Sequence, residues 1–205
     1  MDIHTIVLQL LRWIHFMAGI TWIGLLYFFN LINVPFQGTI DADTKKKVNP
    51  QLIHRALFWF RWGAMITVIA GLLYLIWKQW IASDAGLFGV GGLWNGSSYG
   101  SWITLGGLLG LIMWFNVWFI IWPAQKKLLG WVMHGGAPPE QPQIAKRALL
   151  ASRTNTYLSV PMLFAMGAAS HFPNASLLWM LIVIAVGFGI AAFAINVSGN
   201  VGKPS

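Results

Sequence analysis

Arg12 to Asn30 reads RWIHFMAGITWIGLLYFFN, an apolar run that nevertheless carries a histidine, His15, in its interior. About 20 predominantly apolar residues cross the hydrocarbon core of a membrane as a helix. Lipid offers the backbone no polar partner, so such a run satisfies its own hydrogen bonds by coiling into an α-helix. An ionisable side chain inside it is costly and calls for a partner or a task.

The composition extends this reading to the whole chain. Of 205 residues, 57% are hydrophobic and 9% charged, with a mean hydropathy of +0.66. A soluble domain has about a quarter of its residues charged, so most of this surface is built for lipid. Five segments qualify as spans, roughly 6–33, 60–81, 102–122, 154–171 and 176–196. The expected fold is all-α integral membrane: a five-helix transmembrane bundle forming one domain over 1–205, with membrane lipid as its constant partner. Lys45, Lys46, Lys47, Arg55, Lys126, Lys127, Lys146 and Arg147 gather in the 34–59 and 123–153 connections, whereas 82–101 and 172–175 carry no Lys or Arg. The positive-inside rule then puts the N-terminus outside and the C-terminus inside. The formal charge of +8 reports topology, and no basic helix with interleaved aromatics points to nucleic acid.

Local signals support these boundaries. Pro35 follows the first span, Pro123 closes the third, and Trp94, Trp102, Trp122 and Trp131 fall near the expected interfaces. The first apolar segment has no basic leader or small-residue cleavage site, so it is expected to remain as a helix. The GVGG of the outer loop, which also holds Asp84, has neither the Lys-Ser/Thr nor the preceding strand of a phosphate loop. HGGAPPEQPQ, at 134–143, reads as an irregular inner loop before a helix starting near Ile144. With no cysteine, thiolate metal sites, disulfides and covalent haem c are excluded.

His15, Gly19 and Trp22 recur at i, i+4 and i+7 and share one helix face, where Gly19 leaves room for a flat ligand or another helix. A neutral imidazole there suits haem iron. It equally suits a core histidine bonded to a neighbouring helix, and both readings stand. A second axial ligand must match the depth of His15, about 13 Å along its helix. His171, at the outer end of the fourth span, pairs best with it, because His54 and His134 belong to the inner side.

The fourth span opens with ASRTNTYLSVPML, which puts Arg153, Asn155, Thr156 and Ser159 within about two turns, and Pro161 frees a carbonyl near Tyr157. Arg offers a fork and Asn both donates and accepts, so this cluster suits a planar anion or haem propionates. An interfacial helix start with a snorkelling Arg gives the same sequence. Arg61 and Asn116 are further polar residues at or in spans, readable as interface anchor and helix glue or as cavity lining. None of the acidic residues Asp2, Asp41, Asp43, Asp84 and Glu140 lies inside a span. That argues against a carboxylate-driven transporter and a di-metal carboxylate centre.

Three stretches, HFMAGITWIGLLYFFN, MWFNVWFIIWPAQKK and SRTNTYLSVPMLFAMGAASHF, resemble the transmembrane domain of bacterial membrane-bound urate hydroxylase, the urate oxidase N-terminal family. The first also resembles, more distantly, the copper-resistance D and membrane protoporphyrinogen oxidase types of haem-binding membrane protein. The resemblance implies an inner-membrane oxidoreductase acting on urate or a related small molecule. It implies a haem or cofactor ligand at His15, haem b being the expected group, and Arg153, Asn155, Thr156 and Asn116 as substrate or propionate ligands; Gly19, Trp22 and His171 join His15 as cofactor-binding candidates from the face and depth reading above. Family members end in a cytochrome c domain; this chain has no Cys, so electrons are expected to leave to a separate cytochrome c. The alternative is a non-catalytic haem b electron-transfer or accessory subunit of a respiratory complex.

Overall fold

The computed structural model describes residues 2–82, 86–89, 92–136 and 138–201; Asp84 and half of the GVGG stretch lie outside them. The chain forms α1 (Ile3–Tyr27), a π-helical turn π1 (Phe28–Asn33), α2 (Val34–Thr39), α3 (Ala42–Ile76) and π2 (Trp77–Ile81). After the loop come α4 (Ser98–Phe115), π3 (Asn116–Ile121), α5 (Trp122–His134), α6 (Gln141–His171) and α7 (Leu177–Ser198). No strand occurs among the described residues.

The π turns join their flanking helices into continuous rods. Four rods are long and apolar enough to cross a membrane: Ile3–Thr39, Ala42–Ile81, Ser98–His134 and Leu177–Ser198. The protein is therefore a multi-pass membrane protein. Its fifth long helix, α6, spans 31 residues. It is not among the four because Lys146, Arg147, Arg153 and its amides and hydroxyls dilute its apolar content.

Two connections read as loops in the sequence are largely helical. Asp41 accepts the backbone N–H groups of Asp43 and Thr44 at 2.9 Å each, capping α3 well before residue 60. Pro123 opens α5 instead of ending the rod, because the first turn of a helix has no use for the missing N–H. The 134–143 segment does turn, with Gly135 left-handed (φ 71°) after α5.

Without a hydrophobic drive between helices in lipid, close contact depends on small residues. On α3, a Cβ at Gly63 would come within 3.2 Å of the Trp22 backbone nitrogen on α1. On α4, one at Gly106 would meet Met166 and Ala165 of α6 at 3.2 and 3.3 Å. On α7, one at Gly187 would strike Pro161 of α6 at 2.7 Å. Around these contacts Trp22, Leu26, Phe60, Met113 and Val117 are buried, and the large apolar side chains of α7 point outward. Two ties link the helix ends: the Ser198 hydroxyl donates to the Leu31 carbonyl, and the Ser98 hydroxyl to the Pro173 carbonyl.

Candidate functional site

Three helices bring polar side chains into one buried layer. On α6, Ser152, Asn155, Thr156 and Ser159 follow the i, i+3, i+4, i+7 spacing of a single face, and the last three are at most 2% exposed. Asn155 accepts from Asn116 Nδ2 at 2.8 Å and donates to the Met113 carbonyl at 2.9 Å. Ser159 donates to the Thr156 carbonyl at 2.8 Å and meets the Tyr27 hydroxyl at 2.9 Å. Asn30, 1% exposed, donates to the Leu26 carbonyl at 2.9 Å and to Ser152 Oγ at 2.8 Å.

Both helices facing α6 change to π winding where they supply these amides. Where α4 passes into π3, the Asn116 N–H is shared between the Ile112 and Met113 carbonyls, and Asn155 gives the Met113 carbonyl another donor. Asn30 lies inside π1 and bonds a carbonyl of the preceding turn. Such π turns are uncommon and concentrate at functional sites. The Asn30 Oδ1 is buried and accepts no hydrogen bond, an unmet acceptor beside an otherwise satisfied network.

Next to this layer is a cavity of about 140 Å³ lined by Phe29, Asn33, Leu57, Phe60, Gln125 and Ser152, among others. Its aromatic walls suit a flat ring, and Asn33, Gln125 and Ser152 are its polar points. Ser152 belongs to both cavity wall and polar layer. The cavity lies toward the end of the bundle where α2, the start of α3, α5 and the start of α6 meet, the end that carries Lys45–Lys47, Lys126, Lys127, Lys146 and Arg147.

The remaining sequence-derived residues lie elsewhere. Arg153 is half-buried, about 100° around the helix from Ser152. It makes no hydrogen bond or ion pair with the described residues. Arg61 stacks on Trp122, its guanidinium carbon 3.9 Å from the ring centroid, with Phe58, Trp62 and Trp118 at 5.9–6.0 Å. This cation–π box anchors the start of α5.

His15 sits in the seam between α1 and α3. Its Nδ1 lies 2.8 Å from the Thr67 carbonyl. A carbonyl only accepts, so Nδ1 carries the proton and Nε2 keeps its lone pair. Nε2 makes no hydrogen bond with the described residues and is not sealed from its surroundings. A Cβ at Gly71 would reach the His15 ring at 3.0 Å, and one at Gly19 would lie 3.9 Å from Thr67. Trp22, buried on the same face, has an indole N–H with no acceptor.

A histidine oriented by a backbone carbonyl through Nδ1, with Nε2 open, is prepared as metal-ligating histidines are. His15 itself is thus suited to hold a haem iron through Nε2. His171, exposed at the end of α6, lines a surface cavity with Ser98 and Pro173, and no hydrogen bond or ring contact links it to His15. No group of three His, Cys, Asp or Glu able to hold a metal ion occurs among the described residues.

Sequence reasoning passed over Asn30, Ser152 and Tyr27. The 152–155–156–159 spacing was the available signal for Ser152; the partners of Asn30 and Tyr27, 122 and 132 residues away, left no local trace.

A family model described as urate oxidase N-terminal matches residues 94–200, just over half of the chain. The match takes in α4 to α7, with Asn116 and the whole buried face of α6, and leaves out α1 to α3. No curated protein and no solved structure matches the chain.

Proposed function

Because the chain belongs to the urate oxidase N-terminal family, we propose that it is a membrane-bound oxidoreductase of urate-hydroxylase type. It binds urate or a related purine in the cavity beside Ser152. The observation that carries this reading is Ser152, which lines the cavity and is held by Asn30, whose buried Oδ1 is unmet inside the layer that Asn116, Asn155 and Thr156 complete. Urate is flat and anionic, with an edge that alternates ring N–H donors and carbonyl acceptors. Asn30 Oδ1 accepts a ring N–H, and the Ser152 hydroxyl, held by Asn30 Nδ2, donates to a neighbouring carbonyl. Asn33 and Gln125 contact the exposed edge. A cavity near 150 Å³ takes a benzene-sized ring, so one ring of the purine is enclosed and the other extends toward the opening. The basic groups at this end of the bundle raise the local concentration of an anionic substrate.

In this reading all five long helices cross a bacterial inner membrane, with the N-terminus outside and the cavity opening inward. Haem b, when bound, supplies one-electron redox chemistry, and His15 Nε2 holds it. Thr67 fixes the imidazole tautomer, and Gly71 and Gly19 give the ring its space. A separate cytochrome c takes the electrons. A second reading, a non-catalytic haem b carrier, is favoured by one observation: His15 lies in the α1/α3 seam and does not line the Ser152 cavity.

The test is the reduced-minus-oxidised absorption spectrum of the detergent-purified protein, recorded with dithionite and again with urate, alongside urate titration calorimetry. Urate is expected to bind, and to reduce the chromophore that dithionite reduces. Asn30→Ala is expected to weaken urate binding at least several-fold and leave the dithionite spectrum intact. A dithionite signal with no urate binding refutes the enzyme reading and leaves the carrier.

A further inference from the structure

Leu57 and Phe60 of α3, with Ile121 of π3 and Gln125 of α5, line the cavity where these elements meet. One residue on from Phe60 and from Ile121, about 100° around each helix and so turned away from the cavity, stand Arg61 and Trp122. The Arg61 guanidinium carbon lies 3.9 Å from the Trp122 ring centroid, with Phe58, Trp62 and Trp118 completing the box. Arg61 makes no hydrogen bond or ion pair with the described residues, and its Nε is sealed without an acceptor. We propose that Arg61, held flat on Trp122, binds the phosphate of an anionic phospholipid, with Lys126 as a second cation.

A guanidinium carries five N–H donors and no acceptor. The four rings attract its charge, yet they offer no oxygen to those donors. Stacking on an indole face leaves the planar edge of the guanidinium free, and that edge matches two phosphate oxygens at once. A snorkelling Arg carries its head into water. Arg61 instead is half-buried among rings from three elements, with Nε shut off from water. Its level is that of lipid headgroups: Phe58 and Trp59 on the same turn of α3 are 45% and 60% exposed, as in an aromatic belt. Lys126 is exposed one turn on from Trp122, on the same face of α5. Two cations at this level favour an anionic headgroup over a zwitterionic one.

The full chain, stripped of lipid in neutral detergent, is titrated with phosphatidylglycerol, phosphatidylcholine or inorganic phosphate. Native mass spectrometry reads occupancy, and calorimetry reads urate binding by the same variants. The wild type is expected to hold phosphatidylglycerol in preference to the other two. R61Q and K126Q are each expected to weaken it about fivefold, the effect of one cation beside an anionic headgroup. R61K keeps the charge and loses the fork; it is expected to weaken binding several-fold, and it decides the matter if R61Q does not fold. K46Q, about 22 Å before Arg61 along α3, is expected to change nothing. Undiminished phosphatidylglycerol binding in R61Q, or in R61K where R61Q does not fold, overturns the site. An equal loss in K46Q also overturns it, because the attraction is then that of the whole basic end. Equal occupancy by inorganic phosphate makes it a free-anion site, and equal occupancy by phosphatidylcholine removes the need for an anionic lipid; either result overturns the assignment. Loss of urate binding in R61Q with lipid binding intact does so as well, by moving Arg61 to the substrate.

Discussion

Replacing Asn155 by Leu tests whether the polar layer holds α4 against α6. Asn155 is fully buried, and Leu has the same number and branching of side-chain heavy atoms but more bulk, so the change removes two hydrogen bonds without opening a cavity. The bonds lost are the acceptor for Asn116 Nδ2 at 2.8 Å and the donor to the Met113 carbonyl at 2.9 Å. Side-chain hydrogen bonds between membrane helices average about 0.6 kcal/mol and reach about 1.7, because chains unfolded in the membrane also find partners. Two of them give a loss of about 1–3 kcal/mol. For a chain of this size each kcal/mol lowers Tm by about 2–4 °C, so a fall of about 2–12 °C is expected. Far-UV circular dichroism in neutral detergent reads it, with Thr154→Val, at an exposed position one residue away, as the control. A double-mutant cycle with Asn116→Ala should return about 0.6 kcal/mol or more of coupling. A shift no larger than that of Thr154→Val, or zero coupling, refutes the argument that these amides bind the two helices.

Other contacts give sharper yes-or-no outcomes. Gly187→Ala sets a methyl 2.7 Å from Pro161 Cδ, so α7 must shift; a cost of about 1–3 kcal/mol is expected in thermal unfolding, and Gly189→Ala, which meets nothing within 4 Å, is expected to be near neutral. Gly71→Ala sets a methyl 3.0 Å from the His15 ring and is expected to shift or abolish the Soret band with helix content unchanged, whereas His15→Ala abolishes it; an unaltered spectrum in both removes His15 as a ligand. The Asp41 carboxylate is held down to about 2 by the Thr44 hydroxyl, helped by the Thr44 and Asp43 N–H groups. Its native value lies below the unfolded one of about 3.9, so its contribution to capping α3 is complete above about pH 4 and is lost as pH falls through about 2. An NMR titration of Asp41 with its midpoint near 4 contradicts that.

The membrane class and the apolar part of every long helix were legible from periodicity-free hydrophobic runs, because lipid demands apolarity on all outward faces. The α3 start at Ala42 was not, since a helix segment with Lys45, Lys46, Lys47 and Arg55 has the composition of a loop and only the Asp41 cap marks its beginning. The π turns were illegible for another reason. They answer a tertiary need, turning Asn30 and Asn116 toward α6, and nothing in FFNLIN or NVWFII announces that need. Within the candidate site, Asn155, Thr156 and Asn116 were picked out as rare amides and hydroxyls in an apolar background. Arg153 was grouped with them by nearness along the chain, yet one residue is about 100° of helix, and the buried line runs through Ser152 instead.

The proposed chemistry is divided between the two halves of the molecule. The family match stops short of α1 and α3, the helices that hold His15, and takes in the α4–α6 contact that holds Asn116 and Asn155. The halves meet through Tyr27 with Ser159 and through Asn30 with Ser152. Asn30 bonds its own helix with the same amide nitrogen that reaches Ser152, so a change in π1 moves the cavity wall directly. A ligand that pairs with Asn30 Oδ1 would therefore bear on α1, the helix that carries His15 about four turns away. Redox coupling between the proposed substrate cavity and the His15 seam then runs along a single helix, and Asn30→Leu, which keeps His15 and its Thr67 contact, is expected to disconnect them. Its dithionite spectrum stays that of the wild type while urate, at a concentration that saturates the variant by calorimetry, no longer reduces the chromophore; reduction by bound urate at the wild-type rate rules out Asn30 as the link.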